Sequence, residues 1–197
     1  SSVGAYLSEA LQLPMFEELK SDGSNQLAQR MLDRFYADQS RWSAIIQVMF
    51  LNDRFKDIKT IESQGKRAII DRSIYGDEIF AKTIHDRGNM THDEFTIYRD
   101  LLHNMLAHIN PPRLLIYIDV SVDTDMERIN KRARSIEADA IPRDYMEDLH
   151  RNYEAWFEAY NLSPKLRIDL NDSLFCDKGQ LRPDKKEALL TSIRPYL

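Results

Sequence analysis

Apolar residues form two kinds of pattern along this chain, and their alternation predicts the fold. Four short stretches, 13–17, 67–71, 113–120 and 165–170, have the length and apolar run of buried strands. Between them, apolar positions recur at steps of three and four. Trp42, Ile45, Ile46, Met49 and Phe50 make one helix face, and Phe95, Tyr98, Leu101, Leu102 and Met105 another. Tyr145, Leu149, Tyr153, Trp156 and Phe157 make a third, with Pro142 as a break and Asp144 near its start. Asn110-Pro111-Pro112 turns the chain into the third strand, and Ser21-Asp22-Gly23-Ser24-Asn25 reads as a loop. Val3, Leu7, Ala10 and Leu11 give the N-terminus an amphipathic helix with no strand ahead of it. Strand–helix–strand alternation predicts an α/β fold, a parallel sheet flanked by helices on both faces. No internal repeat or linker divides residues 1–197, so one domain is expected.

Composition narrows the partners. The 197 residues are 43% hydrophobic and 30% charged, an ordinary globular balance. With 27 Lys and Arg against 32 Asp and Glu, the net charge is −5, which argues against general binding of nucleic acid or anionic membranes. A small anion remains possible, since it needs only a local basic cluster. Cys176 is the one cysteine, so no internal disulfide forms, and the expected compartment is the reducing cytoplasm. No apolar run is long enough to span a bilayer.

The charged residues gather where ligands of such sheets bind, outside the carboxyl ends of the strands. The stretch 67–71 ends on Asp71 with Arg72 beside it. A carboxylate there holds a cation or a hydroxyl, and a guanidinium neutralises phosphate charge; a structural ion pair capping the strand is the plainer alternative. Met15-Phe16-Glu17-Glu18 ends the first strand on two acids. One within reach of a hydroxyl serves as a general base, and solvated loop acids are equally compatible. Gln47 lies among apolar neighbours, where an amide needs partners. Its donor and acceptor suit a nucleobase edge or a core backbone contact alike. Arg54 follows two turns later on a similar face, and Asp77 is placed to meet it. Residues 127–137, placed after the third strand and its helix, concentrate Arg128, Lys131, Arg132 and Arg134 in an acidic protein, a cluster that an anion would relieve. A solvated helix face is the competing account.

In this order the motifs resemble the deoxynucleoside kinase family, the P-loop kinases that include deoxycytidine, deoxyguanosine and deoxyadenosine kinases and the insect multisubstrate enzyme. The resemblance runs from Ser1 to about Asp169. Its strongest parts are Asp71-Arg72-Ser73-Ile74-Tyr75, and Glu127-Arg128 through Arg132-Ala133-Arg134-Ser135-Ile136-Glu137, with Glu18, Tyr36 and Gln47 upstream. It implies a three-layer P-loop kinase fold and transfer of a γ-phosphoryl group from ATP or another nucleoside triphosphate to the 5′-hydroxyl of a deoxynucleoside. Glu18 matches the general base, Arg72 the arginine at the reacting hydroxyl and phosphate, and Asp71 the acid near that hydroxyl and Mg2+. Gln47 matches the residue that bonds the base, and Tyr36 with Glu137 the pair at the 3′-hydroxyl. Arg128, Arg132 and Arg134 fall in a phosphate-binding lid near 128–143. Arg54 and Asp77 match a polar pair of the cytidine- and purine-preferring members, which tilts the substrate toward deoxyadenosine or deoxyguanosine. A homodimer is implied as well, with the helix around Tyr98 as a contact face, although core packing accounts for that helix more simply.

Two departures accompany the resemblance. The Gly-x-x-x-x-Gly-Lys-Ser/Thr phosphate loop does not occur in these residues, and Ser1 aligns with its magnesium-binding hydroxyl. The expectation is that the first strand and the loop precede Ser1. The usual proline after the base is Leu19, and the strand-end acid is Asp71 rather than glutamate. Two rival readings stand: a thymidylate-type nucleoside monophosphate kinase, which also places Asp-Arg at a strand end, and a kinase-like subunit without catalysis.

Overall fold

The computed structural model describes residues 2–18, 26–132, 141–170, 176–177 and 180–197. In chain order the elements are α1 (Ser2–Leu11), β1 (Met15–Phe16), α2 (Gln26–Ala37), α3 (Gln39–Ser63), β2 (Ile69–Ile70), α4 (Asp77–Asp86), α5 (His92–Leu106), β3 (Leu115–Asp119), α6 (Val122–Arg132), α7 (Arg143–Ala159), β4 (Lys165–Asp169), β5 (Cys176–Asp177), β6 (Gln180–Leu181) and α8 (Pro183–Ile193). A 3-10 turn, Ile74–Gly76, leads into α4.

Local chemistry sets the helix limits. Asp38 caps α3 by accepting from the Arg41 N–H at 3.1 Å. The chain leaves α3 through Gly65, whose φ of 60° lies in the left-handed region where a side chain is strained. Thr91 and Glu94 form a reciprocal capping box on α5. The third apolar face gives α7, which starts at Arg143 after Pro142.

The four expected strands are present and parallel, but they form two pairs rather than one sheet. β1 pairs with β2, Met15 opposite Ile69, and β3 pairs with β4, Leu115 opposite Lys165 through Asp119 opposite Asp169. Residues of β2 and β3 line one cavity of about 1190 Å3. A short antiparallel pair, β5 with β6, was not legible as strand, since neither half carries an apolar run.

Side chains from α1, β4 and α8 close one core around Leu7, Ile168 and Leu189. A second core joins α3, α4 and α5 around Leu51, Ile84, Tyr98 and Leu102. Full burial of each such side chain contributes about 1.5–3 kcal/mol. Tyr98 belongs to this core, being 1% exposed. The side of α5 that carries Tyr98 and Leu102 packs inward, as core packing requires, while Ile97 on the same helix is 67% exposed. Ile45, grouped above with the buried face of α3, is half-exposed, while Ile46 and Phe50 are buried. The basic stretch also differs from expectation. Residues 127–132 do not follow the helix after β3 but form its last turns, as part of α6.

α7 fixes the segment between β2 and α4. The Trp156 indole N–H donates to the Tyr75 carbonyl at 2.8 Å, and its ring lies 3.6 Å from where a side chain on Gly76 would begin. Asn152 donates to the Thr83 hydroxyl, and Arg87 on the loop after α4 reaches Asp144 and Asp148 of α7 at 2.8 and 2.9 Å. The turn at Tyr75–Gly76 and α4 are thus braced from behind by α7.

Candidate active site

Charges from four elements meet at the ends of β1 and β2. Glu18 lies two residues past β1, Arg72 two past β2, Arg54 projects from α3, and Asp77 is the first residue of α4. One Arg72 nitrogen, Nη1, donates to both Glu18 oxygens, at 2.7 and 2.8 Å. Arg54 donates through Nη1 to Asp77 at 2.9 Å and through Nη2 to Glu18 Oε1. The order is Asp77–Arg54–Glu18–Arg72, alternating in sign. Arg54 and Asp77 are buried, while Glu18 and Arg72 keep part of their surface in the cavity.

Arg72 is held in an uncommon backbone state. Its φ is 82°, left-handed for a residue with a long side chain, a conformation that persists only when its surroundings impose it. Those surroundings are visible: its guanidinium carbon sits 3.9 Å from the centre of the Phe80 ring, and it donates to Glu18. Burial opposes the Arg72 charge, but Glu18, Tyr153 and Asp77 more than restore it and leave its pKa above the ordinary guanidinium value. Tyr153 is itself braced edge-on against Phe80 and stacked on Tyr117. Its hydroxyl pKa is raised, first by burial and against the pull of Arg72.

Asp77 shows the opposite balance. Burial pushes its carboxyl up to about 6, although Arg54 and Arg72 favour the charged form. Behind the pair, Arg54 Nε and the Tyr98 hydroxyl are buried with no hydrogen-bond partner. Gln47, 9% exposed, lines the same cavity as Tyr36, Arg54, Asp77, Glu18, Asp71 and Arg72. This arrangement offers a carboxylate and a guanidinium for an alcohol and a phosphate, and beside them buried donors and acceptors for a planar polar group.

Seven sequence-derived residues therefore share one cavity: Glu18, Tyr36, Gln47, Arg54, Asp71, Arg72 and Asp77. Arg128 does not line it; its guanidinium donates to the Leu170 carbonyl at 3.4 Å. Ser1, Leu19, Arg134 and Glu137 lie outside the described residues, as does the side chain of Arg132. The sequence reading missed Phe80 and Tyr153 as supports of Arg72. Tyr153 was visible only as a member of an apolar helix stripe, and nothing marked Phe80. Asp71 offers hard carboxylate oxygens at the strand end, the donor type magnesium takes, so its chemistry fits that ion. Another grouping of metal-ligand composition, Asp119, His150 and Glu154, lies around β3 and α7. Arg167 already bridges its two carboxylates at 2.9 Å, so a guanidinium supplies the cation there.

Comparison with known proteins gives a consistent result. A family model described as deoxynucleoside kinase matches residues 1–194. The deoxyguanosine kinase of Lactobacillus acidophilus is 38% identical over 177 residues, covering 86% of this chain and 75% of that protein. The deoxyadenosine kinase of the same organism is 42% identical over 147 residues, covering 71% of this chain and 68% of the relative. Among solved structures, deoxyadenosine kinase from M. mycoides with the products dCMP and a flexible dCDP superposes with a TM-score of 0.76 at 25% identity, over 99% of this chain and 92% of that one.

Proposed function

The chain belongs to the deoxynucleoside kinase family, and from that premise we propose how it works: ATP gives its γ-phosphoryl group to the 5′-hydroxyl of a purine deoxynucleoside, deoxyguanosine or deoxyadenosine. The observation that carries the reading is the convergence of Glu18 and Arg72, from two separate strand ends, on the cavity that also holds the Arg54–Asp77 pair. The purine preference draws on relatives described as deoxyguanosine and deoxyadenosine kinases.

Each side chain takes a role from its place. Glu18 accepts the proton of the 5′-hydroxyl, and Arg72, at the same carboxylate, stabilises charge that develops on the transferred phosphoryl group. Phosphoryl transfer asks for little covalent work, so in-line placement and charge neutralisation supply most of the rate. Gln47, Arg54 and Asp77 hold the base, and Tyr36 with Glu137 the 3′-hydroxyl. Arg128, Arg132 and Arg134 form a lid near 128–143 that closes on the donor phosphates and excludes water. Asp71, with Ser1, would hold Mg2+, which when bound neutralises phosphate charge. The domain is single over 1–197, acts as a homodimer, and works in the cytoplasm.

A panel of four deoxynucleosides and their monophosphates, with ATP and Mg2+ and the full-length protein, tests the reading. Transfer to a purine deoxynucleoside is expected. Transfer only to monophosphates would overturn it in favour of a thymidylate-type enzyme, and no transfer would favour a non-catalytic subunit. Light scattering of the same preparation checks the dimer.

A further inference from the structure

We propose that Arg54 is a latch on Glu18, opened by the nucleobase, so that recognition of the base and use of the general base are one event. This rests on the kinase reading above. The geometry that points to it is the sharing of Arg54 between two carboxylates with different tasks. Nη1 holds Asp77 in the base-reading pair, and Nη2 holds Glu18 Oε1.

Glu18 in this state has little left for a sugar hydroxyl. A carboxylate offers about four lone-pair positions. Three are engaged here: Oε1 accepts from Arg54 Nη2 and Arg72 Nη1, and Oε2 accepts from Arg72 Nη1. A hydroxyl approaching Oε1 must displace one guanidinium. Arg72 is the harder to move, because it holds both oxygens, lies on Phe80 and is fixed by a left-handed backbone. Arg54 gives up less. It keeps Asp77 when it leaves Glu18, and its Nε is a buried donor with no partner. Nε and Nη2 form one edge of the planar guanidinium. A base that presents acceptors to that edge satisfies the unused Nε and replaces the Glu18 oxygen on Nη2. The latch then opens at the cost of one exchanged hydrogen bond. A sugar with no base leaves Arg54 on Glu18, and its hydroxyl has only the remaining Oε2 position of a carboxylate shared by two guanidiniums.

The consequence is a distinctive kinetic signature. Arg54 suppresses turnover of acceptors that bring no base, beyond any help it gives to binding. The probe is 1,2-dideoxyribose, the sugar without a base, compared with deoxyguanosine and deoxyadenosine at saturation in the full-length protein. Wild type is expected to phosphorylate the bare sugar with a kcat at least about tenfold below the nucleosides, the scale of one charge-assisted hydrogen bond. Arg54→Met is expected to raise kcat on the bare sugar about tenfold while raising KM for the nucleosides. A residue that merely binds the base would raise KM for nucleosides and leave the bare sugar unchanged. Because Arg54→Met strands Asp77, the double variant Arg54→Met with Asp77→Ala is measured beside it, and a thermal melt checks that each is folded. Unchanged or slower turnover of the bare sugar in folded variants overturns the latch and leaves the kinase reading intact. Failure of wild type to phosphorylate any deoxynucleoside overturns both.

Discussion

Removing Arg54 should expose how much of the protein's stability hangs on one buried cation. Asp77 is 3% exposed and Arg54 7% exposed. In Arg54→Met the apolar stem is replaced in kind, but Asp77 loses the donor that lies 2.9 Å away. Breaking a buried pair from one side costs about 3–5 kcal/mol, because the remaining charge stays desolvated. Asp77→Ala should cost less, since Arg54 retains Glu18. The double variant should cost less than the sum of the two singles by at least about 1 kcal/mol, the coupling typical of touching residues. The pH dependence sharpens the test. The folded pKa of Asp77 is pushed up to about 6 from 3.8, so the native state binds the extra proton. Its contribution in wild type is fully present below the unfolded value and is lost as pH rises through about 6. Without Arg54 that carboxyl protonates at still higher pH. The variant therefore gains about 1.4 kcal/mol per pH unit on acidification already above pH 6, where wild type gains nothing from this group. The Arg54→Met penalty should shrink between pH 8 and 6 and level off below. Urea unfolding followed by circular dichroism at pH 8, 7, 6 and 5 measures it. A penalty under about 1 kcal/mol, a penalty constant from pH 8 to 6, or additive singles would refute the argument.

Glu18→Gln should abolish most turnover while calorimetry still records deoxynucleoside binding, and its stability cost should be about 1–3 kcal/mol because Arg72 loses its carboxylate while Arg54 keeps Asp77; near-normal turnover removes Glu18 from the base role. Arg54→Met with Asp77→Ala should shift base preference toward thymidine in a competition assay, and an unchanged preference would make the pair structural. Trp156→Phe deletes the 2.8 Å bond to the Tyr75 carbonyl and should destabilise by about 1–3 kcal/mol; an unfolding midpoint equal to wild type would show that α7 does not brace the turn before Asp77.

The sequence carried the placement of the strands and much of the cavity, and it did so for local reasons. Strands such as 115–119 and 165–169 announce themselves as short apolar runs between helical repeats, and the parallel register follows from the long connections. Arg54 and Asp77 could be paired on paper because one sits two helical turns from Gln47 and the other six residues past a strand-end acid. What stayed hidden is three-dimensional. Nothing in the spacing says that Arg54 also reaches Glu18, thirty-six positions away. The left-handed backbone of Arg72 and its seat on Phe80 depend on α4 and α7 closing behind it. The basic run at 127–132 looked like a segment beyond its helix because charge masks the apolar positions Met126 and Ile129 that continue it. Tyr98 is buried, as the apolar repeat of its helix alone predicts.

On the proposed roles, the pairing of Glu18 with Arg72 also keeps the phosphate-directed guanidinium in place. Guanidiniums gathered at a strand end repel one another and would otherwise be free to turn into solvent. Here each is held by a carboxylate, and the alternation Asp77–Arg54–Glu18–Arg72 brings two charges of each sign into contact. On the proposed roles, Glu18 plays for Arg72 the part that phosphate oxygens take during transfer. Arg72 need not be recruited when a donor binds; it needs only to share its fork, and its left-handed backbone and the Phe80 ring keep it aimed in the meantime. The same storage sets a requirement on substrate. A carboxylate employed as the counter-ion of two cations becomes available as a base only when other groups take those cations over. The phosphate is suited to one of them and the nucleobase to the other. On that proposal, a complex lacking either half, the donor's phosphate or the acceptor's base, leaves Glu18 partly occupied, which makes discrimination a property of the charge network as a whole and not of the base pocket alone.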